Sequence, residues 1–516
     1  MKDKIIIIFI VASILILGWT LVQNLTSEKK EPVAIEEAMD APEVQATTVA
    51  KLQDGDIFEM KAEIVQQSVG NRIIKRLAYN RQIPGPIIEA EKGATVTIRL
   101  TNLLDIPTTL HSHGVRLEST FDGVPEEMGG VQKPIEPGET FSYTITFPDA
   151  GVFWYHPHMR EDYTQEMGLY GNYSVQEKAY WNSVDQEEFL VLDDFSENDP
   201  FYADSINKTL MGRYGNLLLI NNEEDYSLTV TTGAVTRFFL TNTANVRPFL
   251  LTIPGATIKL VGGDIGRIER ETFVSSIVLA PAERAVVEVR FDTPGTYPIL
   301  HRGKEMGRII AEGKNVLSRD DFSVLRENKS DYALLRHDFT KWLTKKSDKK
   351  LRASIEMSGM GGGMMMNHGA EHQGTKTEES GIEWEDTMAM MNEMSNDENV
   401  TWQLIDEETK KVNEDMSADW QFMEGDMVKI QIYNDPNSAH PMQHPIHFHG
   451  QRFVILSRDG KPNDNLQWKD TALIRTGETV EILVEMSNPG HWMAHCHIAE
   501  HMHSGMMFGF SVHAQK

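Results

Sequence analysis

Ten histidines and the single cysteine of the chain fall into four short motifs. They are His111-Ser-His113-Gly114, His156-Pro-His158, His444-Pro-Ile-His447-Phe-His449 and His495-Cys496-His497, with His501 following after three residues. In a strand, residues i and i+2 point to the same side. The pairs His111/His113, His156/His158, His447/His449 and His495/His497 can therefore offer eight imidazoles to one site. Cys496 lies between the last pair and faces the other way. With His444 and His501 it makes a His2Cys set, the trigonal ligand set of a blue-copper electron-transfer site, which also takes a weak axial methionine. Met506 is the axial candidate and Met507 the alternative. Zinc would take about four ligands and has no use for a cysteine flanked by two histidines.

The chemistry follows from this arrangement. A thiolate-held copper gathers electrons one at a time. The peptide links from Cys496 to its neighbours give a short covalent path to the eight-histidine site, which can hold several coppers with positions open for O2. A lone His-x-His in a strand is most often a surface pair, so the weight rests on four motifs together, with the only cysteine inside one. His158 and His444 are 286 positions apart, so the cluster must lie between the first and last parts of the chain. Between Met159 and Leu300 there is no histidine or cysteine, which predicts a copper-free spacer in the middle.

The elements that must carry these motifs are strands. Val96, Ile98 and Leu100 alternate with polar neighbours, as do Phe141, Tyr143, Ile145 and Phe147, and again Val428, Ile430 and Ile432. Period two marks half-buried strands, here read as antiparallel sheets. The pattern occurs three times. Strand ends at Asn102, Asn242 and Asn434 are each followed by a turn (Pro137-Gly-Glu, Pro281-Ala-Glu, Thr476-Gly-Glu), a strand, and a second turn at Gly151, Gly295 or Gly490. Each second turn runs into an aromatic residue and a histidine. The turn glycines are 144 and 195 positions apart, which predicts an insertion of about fifty residues in the last third. From about 345 to 395 the chain is polar, Gly- and Met-rich and without alternation.

The expected fold is all-β: three similar β-sandwich domains and an N-terminal membrane-spanning segment. The boundaries read as a signal or signal-anchor segment (1–30), a polar tether (31–50), domain 1 (51–178), domain 2 (179–335), a linker with the Met-rich insert (336–395) and domain 3 (396–516). Residues 5–22 are almost wholly apolar, follow Lys2 and Lys4, and are about long enough to span a bilayer. No clear cleavage site, lipobox cysteine or twin-arginine pair accompanies them. The expectation is an extracytoplasmic protein, anchored to the outer face of the cytoplasmic membrane, or secreted if the segment is cleaved. The formal net charge of −27 argues against nucleic-acid binding, which needs a basic face. A single cysteine excludes a disulfide framework within the chain.

Over about residues 50–516 the chain resembles the multicopper oxidases, in particular the three-domain laccase-like branch, with all four motifs in order. The resemblance implies that the three domains are cupredoxin-like Greek-key β-sandwiches and that they hold four copper ions. His444, Cys496, His501 and Met506 match the type 1 ligands, and His111 and His447 the type 2 ligands. His113, His156 and His497 match one type 3 copper, and His158, His449 and His495 the other. It implies four one-electron oxidations coupled to reduction of O2 to water, by a monomer. Asp122, eleven residues after His111, matches the family acid that delivers protons, although Asp122-Gly123 also reads as a turn. A second family acid often follows the last type 1 histidine. Here that position is Met502, with His503 or Glu500 as substitutes.

Nine methionines lie between Met357 and Met394, including Met364-Met365-Met366. Thioethers prefer Cu(I). Met357, Met360, Met364, Met365, Met366, Met388, Met391 and Met394 are candidate ligands for a substrate copper, and Met388, Met391 and Met394 could share one face of a short helix. The segment resembles the insert of bacterial cuprous oxidases. The expected reductant is therefore Cu(I), with a role in copper tolerance. A laccase oxidising phenols or aromatic amines, and a non-catalytic copper-sequestering protein, are the alternatives.

Overall fold

The computed structural model describes residues 40–69, 72–197, 201, 205–313, 320–358 and 379–515. Six sheets form three two-layer sandwiches. In the first, strands Arg72–Tyr79, Ile57–Val69, Thr95–Leu103 and Thr140–Thr146 face a five-stranded sheet that includes Gly151–His156 and His111–His113. The second pairs a six-stranded with a five-stranded sheet, and the third a seven-stranded with a five-stranded sheet. The chain thus folds as three cupredoxin-like domains.

The repeated asparagine at each strand end has one local function. Asn102 Nδ2 donates to Ile106 O and Ile135 O, Asn242 Nδ2 to Arg247 O and Leu279 O, and Asn434 Nδ2 to Met442 O and Ile474 O. Each amide is buried and satisfies two loop carbonyls that would otherwise cost about 1–3 kcal/mol apiece. The repeat therefore survives as a loop lock, which holds the segment leading into the next sheet.

Two expectations are corrected. The sheets are mixed rather than purely antiparallel: Ile57–Val69 runs parallel to Thr95–Leu103, and Gln186–Phe195 parallel to Val235–Asn242. Strands that cross between the two layers return in the same direction as a neighbour, and alternation alone carries no information on direction. Strand Lys349–Met357 pairs with Val400–Asp406 and Asp426–Asn434. The third sandwich therefore starts before the Met-rich insert, which interrupts it rather than preceding it. Helices Lys329–His337 and Phe339–Thr344 make the connection from the second sandwich.

The domain 1 core is continuous with domain 3. Val454, Leu456, Leu466, Trp468 and Leu483 join the same apolar cluster as Ile98, Tyr143 and Phe147. At about 25 cal/mol per Å2 of apolar surface, such shared burial makes the 1–3 interface part of the folding core. No helix among the described residues is long and apolar enough to cross a membrane, and the apolar run at 5–22 lies outside them.

Candidate metal centre

The four motifs converge as two sites. Strands His444–Phe448 and Gly490–Cys496 are antiparallel neighbours, with Ile446 opposite Cys496 and His447 opposite His495. Adjacent residues of one strand face opposite sides, so His495 and Cys496 serve different sites. On one side Cys496 Sγ lies 3.6 Å from His444 Nδ1 and 3.9 Å from His501 Nδ1, and the two nitrogens are 3.4 Å apart. The indole of Trp402 stacks on His501 at 4.1 Å and meets His444 edge-on at 4.8 Å, fixing both rings. Met506 is wholly buried in the same core, and its carbonyl accepts from the Cys496 N–H. Burial pushes the Cys496 thiol well up and takes His444 down to about 3. A buried thiolate needs a cation beside it, and unprotonated imidazoles are ready to supply lone pairs.

On the other side eight imidazoles share one buried chamber. His111 and His113 come from one strand, paired with Gly151–His156, which ends in the His156-Pro-His158 turn. His449 Nε2 and His495 Nε2 are 3.0 Å apart. Three groupings bring ligand nitrogens within 4.8 Å of one another: His111/His113/His447, His113/His156/His497 and His158/His449/His495. All are buried, and His113, His156, His447, His449 and His495 are held well below the ordinary imidazole value, chiefly by desolvation and then by neighbouring rings.

The outer nitrogens are tied down. His111, His156, His447 and His495 place Nδ1 against the carbonyls of Asp122, Pro157, Asp470 and Cys496 at 2.7–2.9 Å. His449 Nδ1 lies 2.8 Å from Asp122 Oδ2, His158 Nδ1 2.8 Å from Glu161 Oε1, and His113 Nε2 3.0 Å from Asp470 Oδ1. The inner nitrogens His111 Nε2, His113 Nδ1, His156 Nε2, His158 Nε2, His447 Nε2 and His497 Nε2 have no hydrogen-bond partner. Orphaned buried nitrogens aimed at one volume, with the opposite nitrogen held by an oxygen, are the signature of metal-ligating histidines. The donor set therefore fits copper.

Three models of the multicopper oxidase family match residues 64–180, 187–319 and 383–516. Together they cover well over half of the chain. This chain belongs to the multicopper oxidases. The multicopper oxidase Mco of Staphylococcus aureus is 26% identical over 446 residues, covering 84% of this chain and 82% of its own. The multicopper oxidase MmcO of Mycobacterium tuberculosis is 25% identical, covering 91% and 89%. A solved multicopper oxidase from Pseudomonas thermotolerans superposes with a TM-score of 0.67 at 24% identity, covering 90% and 100%. As a multicopper oxidase, the enzyme carries copper and couples oxidation of a reductant to reduction of O2.

Asp122 stands where the motif spacing put it. Its Oδ2 reaches His449, and its Oδ1 lies 3.3 Å from His111 Nδ1. A cleft of about 10 Å3, close to the space one water needs, abuts it between Val124, Met128 and Met493. Of the two substitutes for the acid missing at Met502, only His503 joins the chamber. Its Nε2 lies 2.6 Å from Glu161 Oε2, whose other oxygen meets His158. Burial opposes charge on Glu161, but the His158 and His503 rings outweigh it and hold the carboxyl well below its usual range. Glu500 instead accepts from the Arg213 N–H, and burial pushes it up to about 7.

Sequence reasoning missed Glu161, Asp470 and Arg284. Glu161 follows His158 at i+3 on a short helical turn, a readable signal; the other two have none.

Of the candidate methionines, Met357, Met388 and Met391 pack partly buried against the core that holds Cys496 and Met506. Helix Ala389–Glu393 is pinned there by Asn392, which donates to Gly212 O and accepts from the Met211 N–H. Met394 is 63% exposed, so the shared face ends at Met391. It lies past the last helical residue, where the periodicity no longer holds. Met360, Met364, Met365 and Met366 lie outside the described residues.

Proposed function

We propose that this multicopper oxidase is a cuprous oxidase, which takes electrons from Cu(I) and releases Cu(II) outside the cytoplasm in a copper-tolerance role. The observation that carries the reading is the packing of Met388 and Met391 against the apolar core that includes Cys496 and Met506. Two soft thioethers, the ligand type that Cu(I) prefers, lie on that core at the start and in the middle of a helix that Asn392 fixes in place. An acidic surface attracts a cation.

On the family pattern four coppers would be held there: one by His444, Cys496, His501 and Met506, and three by the eight histidines. Bound there, they supply one-electron transfer at the thiolate and four-electron reduction of O2 among the imidazoles. The chain's own residues do the rest. Trp402 and the apolar core exclude water from Cys496. The His495–Cys496–His497 backbone joins the two sites by one peptide link on either side. Asp122 Oδ2 and Glu161 Oε1 each stand against a ligand histidine, His449 and His158 respectively. They are placed to hand protons inward, Asp122 from the small cleft and Glu161 from His503, whose side chain is partly exposed.

The test is O2 uptake by the copper-loaded enzyme with Cu(I) and with a simple phenol in parallel. Saturable uptake with Cu(I) and little with the phenol is expected. Fast uptake with the phenol alone would make the enzyme a laccase. No uptake with either, at full copper loading, would leave a copper-sequestering protein.

A further inference from the structure

The middle domain holds none of the ligand histidines, yet one of its side chains reaches the chamber. Arg284 opens strand Arg284–Arg290 and is wholly buried. Its guanidinium binds all three domains at once. Nη1 donates to Asp470 Oδ1 at 2.8 Å and Nη2 to Asp470 Oδ2 at 2.5 Å, in the third domain. Within its own domain Nη1 donates to Ala282 O and Nη2 to Asp264 O, and Nε points to Val152 O of the first domain at 3.5 Å.

Asp470 passes this anchoring on. Its Oδ1 lies 3.0 Å from His113 Nε2 and accepts from Thr471 Oγ1 at 2.9 Å. Its main-chain carbonyl lies 2.9 Å from His447 Nδ1. His113 thus donates its Nε2–H to a carboxylate, which leaves Nδ1 facing inward as the orphaned nitrogen. It is the one histidine of the chamber that turns this edge outward to a carboxylate; His111, His156, His158, His447, His449 and His495 all place Nδ1 outward. The backbone is shaped to admit the pair. Gly114, next to His113, has φ +80°, and a Cβ there would sit 2.4 Å from Asp470 Oδ2 and 2.7 Å from Arg284 Nη2.

We infer that Arg284 is a positioning residue for the histidine centre: by clamping both oxygens of Asp470 it holds His113 with Nδ1 turned to the metal. The planar fork is suited to this as an ammonium is not, because it fixes the orientation of the carboxylate as well as its charge. Removing it would leave a buried carboxylate without its cation, oriented only through Oδ1 by Thr471 and His113. The inference rests on His113 being a copper ligand.

Arg284→Lys, Arg284→Met and His113→Gln, each loaded with copper, test it. The readouts are copper per chain, retention of copper against a chelator, and the paramagnetic signal of the non-blue Cu(II). The blue absorption of the Cys496 site serves as an internal control of folding. Arg284→Lys keeps the charge and is expected to fold, with its blue absorption intact. It should show an altered non-blue signal and loss of chamber copper at least about tenfold more readily, the scale of outer-shell losses. Arg284→Met should lose more. Unchanged copper retention and an unchanged non-blue signal in Arg284→Lys would overturn the inference if His113→Gln loses copper. Should His113→Gln also keep its full copper, the ligand assignment itself fails. If Arg284→Met does not fold, the comparison of Arg284→Lys with His113→Gln still decides.

Discussion

Glu161 and His503, 342 positions apart in the chain, meet with Oε2 and Nε2 2.6 Å apart. The contact gives His503, the neighbour of the position where Met502 stands instead of an acid, a carboxylate partner from the first domain. Glu161→Gln keeps the shape and removes the exchangeable carboxylate. Steady-state O2 turnover should fall by about a hundredfold or more, the low end of proton-transfer effects. Bleaching of the blue site by reductant without O2 should proceed at the parent rate. Stopped-flow absorption separates the two, and equal slowing of both would reduce Glu161 to a prop for His158.

Gly114→Ala should destabilise the protein out of proportion to one methyl group. A left-handed φ costs a non-glycine residue about 1–3 kcal/mol, and the new Cβ would also push on the Arg284–Asp470 pair. Denaturant midpoints at constant m measure this. An unchanged midpoint would mean that the loop relaxes freely.

Met388 and Met391 can be changed to leucine with little loss of packing, since such swaps usually cost under about 1.5 kcal/mol. The double variant should raise KM for Cu(I) by about tenfold, one ligand interaction's worth of binding, and leave oxidation of a phenol unchanged. Point changes are better suited than excision of 357–394, because Met357 ends a paired strand and Asn392 is a buried anchor. Equal effects on both substrates would assign these thioethers to packing.

Asp193 is buried between domains, where Tyr170 Oη donates to it at 2.6 Å and Asp194, Glu166 and Arg76 lie around it. Burial and the Asp194 charge lift its carboxyl to about 7, against the opposing Tyr170 bond and Arg76. A raised carboxyl holds its proton in the folded state and loses it in the unfolded state. Its contribution to stability is therefore full below about pH 4 and lost as pH rises through about 7. Asp193→Asn removes that dependence. Its gain over the parent should be on the order of 1–3 kcal/mol larger at pH 8 than at pH 5, read from paired unfolding curves. A constant gain across that range would show that Asp193 is charged in the fold.

The chamber was legible because strand geometry ties side-chain direction to spacing. His-x-His needs nothing but a strand to become a two-ligand unit, and Cys496 between two histidines must then face away. The asparagines at 102, 242 and 434 were legible as a repeat, though their task as loop locks needed the carbonyls that surround them. Arg284 and Asp470 were not legible, because their contacts are made by tertiary packing: Asp470 reaches His113 across 357 positions, and Arg284 acts through Asp470. Glu161 was legible in its spacing from His158 but was overlooked. Met394 failed for the opposite reason, since helical spacing was extended past Glu393, the last residue of the helix.

The eight-histidine chamber draws half its imidazoles from each end of the chain, with His158 and His447 289 positions apart. Metal captured there is a crosslink that closes a very long loop, so part of its binding free energy goes into keeping the first and third sandwiches together. Copper is thus a clasp as well as a cofactor, and copper starvation should loosen this seam before it melts any single sandwich. A growing chain that has not yet reached its third sandwich holds four of the imidazoles, no thiolate and no wire between them. Oxygen chemistry cannot switch on in a half-made molecule.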